Sequence, residues 1–405
     1  MRSRVGGSGT DGELAREERA ALRRVPGLST ELVDVREVEY RQVRLERVVL
    51  VGVWRGGDWQ GAQRAMTELA RLAETAGSLV CDALVQRRQR PDPATFIGSG
   101  KAEQLAEIVR ATGADTVICD GELSASQLRA LEQAVGVKVV DRTWLILDIF
   151  AQHARTREGK AQVALAQMSY LLPRLRGWGE SMSRTGGGIG TRGPGETKLE
   201  SDRRRVREQI GRLRRQLDEM ARTRVTQRRA RRRSDTRSIA IVGYTNAGKS
   251  SLLNRLTGSD VLIEDALFAT LDPTVRRVRL LTGEDATLTD TVGFIRHLPH
   301  ALVESFRSTL EEIAEADCLI HVVDASDADA GGQMAAVRAV LAQIGADRIP
   351  EVLVLNKVDV ADAATLAPLR GLAPQAVEVS ARTGAGLAEL GAAVAAACRL
   401  LPAQP

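Results

Sequence analysis

The spacing of apolar residues divides this chain into three stretches. From 46 to 140, apolar runs at 47–54, 78–87, 116–120 and 137–140 have the length of strands, and the segments 60–76, 101–112 and 124–135 between them carry apolar residues at helical spacing. Strand and helix in alternation predict a small α/β domain over 46–143. From 145 to 175 the pattern is that of one helix largely free of breakers, with Leu147, Phe150, Val163, Leu165, Met168, Leu172 and Leu175 among polar residues. Farther on, Leu199, Val206, Ile210, Leu213, Leu217 and Met220 step by 7, 4, 3, 4 and 3, the spacing of a seam on a helix that packs against one partner. Together the two segments predict an antiparallel helical hairpin over 144–234. Its glycine-rich tip, 177–198, is long enough to be either functional or disordered. The third stretch, 235–402, returns to strand-like and helix-like segments and closes with a helix expected at 387–400.

Charge changes the picture of the middle stretch. The chain carries +5 overall, but the 50 residues from Arg184 to Arg233 hold 17 Lys or Arg against 6 Asp or Glu, a balance of +11, so the remainder sums to −6. A charge run is ordinarily a solvated face laced with ion pairs, but here the acids are too few to pair the arginines. A positive field of this density is what a polyanion such as RNA would meet. Arg203, Arg204, Arg205 and Arg207 on the helix, with Arg184, Arg192 and Lys198 in the tip, are the expected contacts. Trp178 has two readings, stacking on a base or packing on the adjoining helix end. Residues 1–45, rich in Arg and Glu, are expected to be partly disordered or to lie along the surface.

The rest of the composition sets bounds. A length of 405 residues suits two or three domains, and 43% apolar residues can supply their cores. Cys81, Cys119, Cys318 and Cys398 form no C-x-x-C pair, which argues against a zinc site or a disulfide framework and reads as buried thiols in a reducing cytosol. The N-terminus lacks an apolar stretch for secretion, and no segment approaches the 18 apolar residues needed to span a membrane, so the expectation is a soluble cytoplasmic protein.

Four motifs in the last 170 residues carry the chemistry: GYTNAGKS at 243–250, DTVG at 290–293, NKVD at 356–359 and SAR at 380–382. The first alone would indicate only a phosphate loop; the ordered set specifies a GTP-hydrolysing switch. The loop, Gly243, Tyr244, Thr245, Asn246, Ala247, Gly248, Lys249, Ser250 and Ser251, lies between a strand at 239–242 and a helix starting at 250, so backbone N–H groups can surround phosphates. Lys249 would reach the β- and γ-phosphates, and Ser250 and Asp290 would face Mg²⁺, Asp290 through water. Gly293 offers an N–H to the γ-phosphate. Asp359 can accept from guanine N1–H and the 2-amino group, a donor pair that adenine lacks, and Asn356 can bond the other edge. Lys357 completes that motif. Asn246 has two readings, a K⁺ ligand or a loop-bracing amide. Position 294 is Phe, where a glutamine often orients the attacking water, so slow intrinsic hydrolysis is expected. GSGK at 98–101 lacks the first glycine of a phosphate loop and reads as a turn and helix start, with a second anion site as the alternative.

The segments 145–175, GGGIGTRGPGETKLE at 186–200, GYTNAGKSSLLNRLT at 243–257, LFATLDPT at 267–274 and DTVGFIRHLP at 290–299 closely resemble the HflX family of translation-factor-class GTPases, over about 46–400. The resemblance implies a P-loop, Ras-like G domain with a mixed, mostly parallel sheet, preceded by the small α/β domain and the long hairpin. It implies binding to the large ribosomal subunit and GTP-dependent splitting of stalled or idle 70S ribosomes, with a rescue role in heat or antibiotic stress. Position by position, Thr270 matches the switch I threonine that closes on Mg²⁺ and the γ-phosphate, with Phe268 beside it. Ser380 and Ala381 match the guanine brace, and Arg382 replaces a more usual Lys. The resemblance thus nominates Lys249, Thr270 and Gly293 as catalytic. A small C-terminal domain found in many relatives is not expected here, and a monomer is. Two other activities stay open: an ATP-dependent RNA remodeller and a GTPase that assists large-subunit assembly.

Overall fold

A computed structural model describes residues 47–54, 59–175, 194–232, 236–258, 267–279, 285–296 and 306–399. They all belong to one compact unit that starts at Leu45; the unit Met1–Arg44 lies outside the described residues.

The N-terminal part runs β1 (Arg47–Trp54), α1 (Trp59–Thr75), β2 (Leu79–Arg87), α2 (Ser99–Thr112), β3 (Thr116–Asp120), α3 (Ala125–Val135) and β4 (Lys138–Asp141). All four strands are parallel in the order β2-β1-β3-β4. Central strands of a parallel sheet are covered on both faces, which is why Val48 to Val51 and Val117 to Cys119 are continuous apolar runs buried to 1% exposure or less. Ser124 and Gln127 form a capping box that starts α3. The GSGK segment is a turn, with Gly98 N–H donating to Thr95 Oγ1 at 3.1 Å, followed by the start of α2.

The hairpin differs from its sequence reading. In place of one helix over 145–175 there are two, α4 (Arg142–His153) and α5 (Arg157–Arg174), separated at 154–156. Thr156 caps the second by accepting from Gly159 N–H at 2.9 Å. The antiparallel partner, α6 (Pro194–Arg232), packs on α5. Its seam faces inward as the spacing requires: Ile210 and Leu213 are buried and Val206, Leu217 and Met220 half-buried, while Arg204, Arg205 and Arg207 are exposed. The hairpin is anchored to the first sheet by Asp141, fully buried, which accepts from Trp144 N–H at 2.9 Å and Leu123 N–H at 3.1 Å and pairs with Arg174 at 3.3 Å.

The C-terminal part comprises β5 (Arg237–Gly243), α7 (Lys249–Thr257), β6 (Thr274–Arg279), β7 (Asp285–Asp290), α8 (Arg307–Ala314), β8 (Cys318–Asp324), α9 (Ala330–Gln343), β9 (Glu351–Asn356), α10 (Ala363–Leu372), β10 (Val377–Glu378) and α11 (Leu387–Arg399). Its six-stranded sheet has the order β10-β9-β8-β5-β7-β6 and is parallel except for β6 against β7. This is the mixed, mostly parallel sheet of a G domain. One core gathers Ile239, Ile241, Leu252, Ile320, Val354 and Leu390 between the sheet and helices α7 and α11.

The seam of α6 yields a first test. Leu213→Ala leaves a cavity and is expected to cost about 2–5 kcal/mol, whereas Arg205→Ala on the outer face should change stability by about 0.5 kcal/mol or less. Denaturant unfolding followed by helical circular dichroism distinguishes the two; equal effects would mean the seam does not hold the hairpin.

Candidate active site

The phosphate loop is shaped by close approaches. Gly243 lies against the Val322 carbonyl and Gly248, in left-handed backbone at φ 92°, against the Asn356 amide; a Cβ at either position would collide. Asn246 also takes a left-handed conformation, at φ 60°, and is exposed. The loop delivers the chain into α7, so the first N–H groups of that helix face the loop's concavity. Lys249 is buried, and its ammonium donates to the Tyr244 carbonyl at 2.7 Å. Burial pushes it down to about 8, against the opposing pull of Asp290. A Cβ at Gly293 would come within 2.8 Å of Thr245 Cγ2 and 3.1 Å of Lys249 Nζ, so the backbone there sits directly beside the ammonium.

Three oxygens converge next to it. Ser250 Oγ donates to Asp290 Oδ2 at 2.6 Å and lies 2.9 Å from Thr270 Oγ1, which donates to the same carboxylate oxygen at 3.2 Å. The other oxygen, Asp290 Oδ1, is buried without a hydrogen-bond partner, as is Thr245 Oγ1. Burial raises the Asp290 carboxyl, offset by Lys249 and the two hydroxyls. Two hydroxyls and a carboxylate whose Oδ1 has no protein partner form a hard donor set that fits Mg²⁺.

At the base end, Asn356 is buried and ties two loops together, donating from Nδ2 to the Ala247 carbonyl at 2.8 Å and accepting at Oδ1 from Ala381 N–H at 3.0 Å. Its amide is therefore largely engaged as a brace; only the remaining N–H and lone pair are left for a base. Asp359 accepts from Ser380 Oγ at 2.6 Å and pairs with Arg382 at 2.6 Å. The Ser380 hydrogen bond, then Arg382, holds its carboxyl below the usual range. Arg382 thus touches the Asp359 carboxylate directly, a contact that motif position alone does not show. Lys357, at φ 64°, pairs with Asp324 at 2.6 Å. Ser251 follows on the first turn of α7.

The segments expected to switch are packed against the N-terminal elements. Phe294 is fully buried, and its backbone is locked by Phe294 N–H to the Gly243 carbonyl at 3.1 Å and Thr245 N–H to the Phe294 carbonyl at 2.8 Å. Tyr244 accepts from Arg296 N–H at 2.8 Å and donates to Glu68 on α1. Glu68 also pairs with Arg142, whose guanidinium reaches Asp120 at 2.9 Å and the Arg296 carbonyl at 3.2 Å. Arg296 and Arg64 of α1 share Asp329. On the other flank, Phe268 at φ 61° turns its ring into the core against Phe150, at 4.7 Å between centroids, and Phe150 meets Phe306 at 4.8 Å. The Phe268 side chain, expected at the nucleotide, is thereby used for packing. Of the expected RNA contacts, Arg203 is half-buried. Trp178, Arg184 and Arg192 lie outside the described residues, as does the side chain of Lys198. Glu68 and Arg142 lie in no sequence motif, and Asp272 lies within LFATLDPT.

A phosphate loop, an Mg²⁺-type oxygen corner and an Asn-Lys-x-Asp base corner on this sheet define a P-loop GTPase. Three family models tile the chain: GTP-binding GTPase N-terminal over 63–151, GTP-binding GTPase middle region over 153–231, and 50S ribosome-binding GTPase over 238–357. The GTPase HflX of Lacrimispora saccharolytica is 49% identical over 363 residues, covering 89% of this chain and 84% of that protein. The GTPase HflX of Caldanaerobacter subterraneus is 51% identical over 314 residues, 78% of this chain and 73% of that one. The solved structure of SsGBP with GDP covers 87% of this chain and 98% of its own at 24% identity and a TM-score of 0.48. The chain belongs to the HflX family of GTPases.

The lowered Lys249 gives a signed pH dependence. Between about pH 8 and its ordinary value of 10.5 the unfolded chain holds the proton that the folded loop has lost. The burial penalty, full below pH 8, is therefore relieved as pH rises through that window. Phosphates docked on the loop would restore the charge, so GTP binding near pH 9 is expected to take up a proton and to weaken as pH rises. Calorimetry in two buffers of different ionisation enthalpy reads the uptake, and Lys249→Met should abolish it; no uptake in the unaltered chain would contradict the assignment.

Proposed function

We propose that this GTPase docks on the large ribosomal subunit and, in its GTP state, splits stalled or idle 70S ribosomes, with hydrolysis stimulated by the ribosome. The observation that carries the reading is the geometry of α6: an apolar seam turned inward and Arg204, Arg205 and Arg207 turned outward, on a hairpin joined to the G domain. The description of the matched G-domain model, a 50S ribosome-binding GTPase, supports the same partner. In this reading 46–143 and the hairpin at 144–234 engage rRNA, 235–402 responds, and the protein works as a cytoplasmic monomer. Among the described residues no helix is long and apolar enough to cross a membrane.

Within the site, the loop 243–251, with Gly293, holds the phosphates, Lys249 and the Gly293 N–H face the γ-phosphate, and Asp359, Ser380, Ala381 and Arg382 frame guanine. Ser250, Thr270 and Asp290 would hold Mg²⁺, which would neutralise phosphate charge during hydrolysis. Phe294 offers no polar group to the attacking water, so basal turnover is slow and stimulation comes from a partner that orders the two switch segments.

Sucrose-gradient sedimentation of 70S ribosomes with the protein and GTP, GDP or a non-hydrolysable analogue tests the activity. The expected result is separation into subunits with GTP or the analogue and intact 70S with GDP. Intact 70S under all three would overturn it, and preference for immature particles would favour an assembly role. In the same assay, neutralising Arg204, Arg205 and Arg207 should lower the log–log salt slope of ribosome binding by about 0.7–0.9 per lost contact.

Asn246, exposed at the loop, supports K⁺ as a second cation. Hydrolysis should then be faster in KCl than in NaCl, and Asn246→Ala should remove the difference; equal rates in both salts, free and on ribosomes, would rule the ion out.

A further inference from the structure

The break between α4 and α5 carries no proline or glycine, and its cause lies 116 residues later in the chain. Asp272, two residues after Thr270, places its carboxylate in the break. Oδ2 accepts from Arg155 N–H and Thr156 N–H, each at 2.8 Å, and Oδ1 accepts from the Thr156 hydroxyl, which itself caps α5 through Gly159 N–H. A residue of the G domain thus provides the negative charge that the N-terminus of α5 attracts. Gly159 makes room for it: a Cβ there would collide with Asp272 Oδ1. A glycine in the first turn of a helix is otherwise unfavourable.

The same segment is fixed on its other side. Phe268 is buried edge-on against Phe150 of α4, and Leu271 is buried beside Asp272. Thr270 therefore sits between two anchors, an aromatic one on α4 and a carboxylate cap on α5, with its hydroxyl held at the Ser250 and Asp290 oxygens.

We infer that Asp272 is a positioning residue for Thr270: by gripping Thr156, the cap of α5, it holds switch I in the arrangement that a triphosphate uses, and so sets the preference for GTP over GDP. The physical basis is population. Binding weakens by the fraction of chains in which the competent arrangement is lost, and GDP, lacking the γ-phosphate, does not draw on Thr270. The inference rests on the reading of Thr270 as the switch threonine.

The test measures dissociation constants of the full chain, with Mg²⁺, for a non-hydrolysable GTP analogue and for GDP. Asp272→Ala and Gly159→Ala should each weaken the analogue by about tenfold and leave GDP within about twofold. Gly159→Ala is the decisive variant. It lies outside the nucleotide site and its Cβ would displace the Asp272 carboxylate, so a merely structural role predicts at most lower thermal stability, with the analogue-to-GDP ratio unchanged. Asp272→Asn, which keeps an acceptor oxygen for the two N–H groups, should recover much of the loss. Thr270→Ala separates the two levels: if it leaves the analogue-to-GDP ratio unaltered, the reading of the site fails. If Thr270→Ala lowers the ratio and Asp272→Ala and Gly159→Ala do not, or if these two weaken both nucleotides alike, the positioning role is overturned.

Discussion

Arg142 sets the constraint on which the architecture rests. Its side chain is 7% exposed, and a buried guanidinium is tolerable only with partners for its charge and its N–H groups. Glu68 and Asp120 supply the charge from the first sheet and its helix, and the Arg296 carbonyl supplies an acceptor from the G domain. Glu68 in turn receives the Tyr244 hydroxyl, which holds Arg296 N–H. Burial and Glu68 keep that phenol protonated by raising it, with Arg296 N–H and Arg142 acting in the opposite sense. Separating the modules would leave charges and backbone groups of both without partners, so the start of the phosphate loop and the backbone after DTVG are positioned by residues more than 150 positions away.

The two flanks of the interface have different chemistry. Around Arg142 it is charged and buried; around Phe150 it is aromatic, with Phe268 and Phe306 packed edge-on. A third contact, the Asp272 cap, is partly solvent-exposed. The first two resist small displacements, the aromatic one through close packing and the charged one through desolvation. The exposed contact at Asp272 is held by hydrogen bonds that water can replace.

Much of this was legible in the sequence because it is local. The four motifs carry their chemistry in consecutive residues, and the strands and helices of the first domain follow from period and caps. The seam of α6 turned inward at Ile210 and Leu213 because heptad-like spacing leaves it no alternative. The break at 154–156 was not legible: apolar residues keep helical spacing through it, and what meets the chain there is the carboxylate of Asp272, more than 100 residues away. For the same reason nothing in YTNAGK marks Tyr244 as a hydrogen-bond partner of Glu68, and nothing in NKVD shows that Asn356 spends its amide on Ala247 and Ala381. Motif position puts Phe268 at the nucleotide, whereas its left-handed backbone directs the ring into the core.

Through the segments around Asp272 and Arg296, the nucleotide site and the N-terminal elements form one mechanical unit. Hydrogen exchange at single amides tests it most directly. Arg155 and Thr156 N–H are held across the modules by Asp272, and Arg296 N–H is held by Tyr244, whose hydroxyl in turn reaches Glu68 on α1. Their protection should rise when a GTP analogue replaces GDP in the full chain. If only amides of the phosphate loop respond and those of Arg155, Thr156 and Arg296 exchange at the same rate in both states, the modules are not coupled in this way.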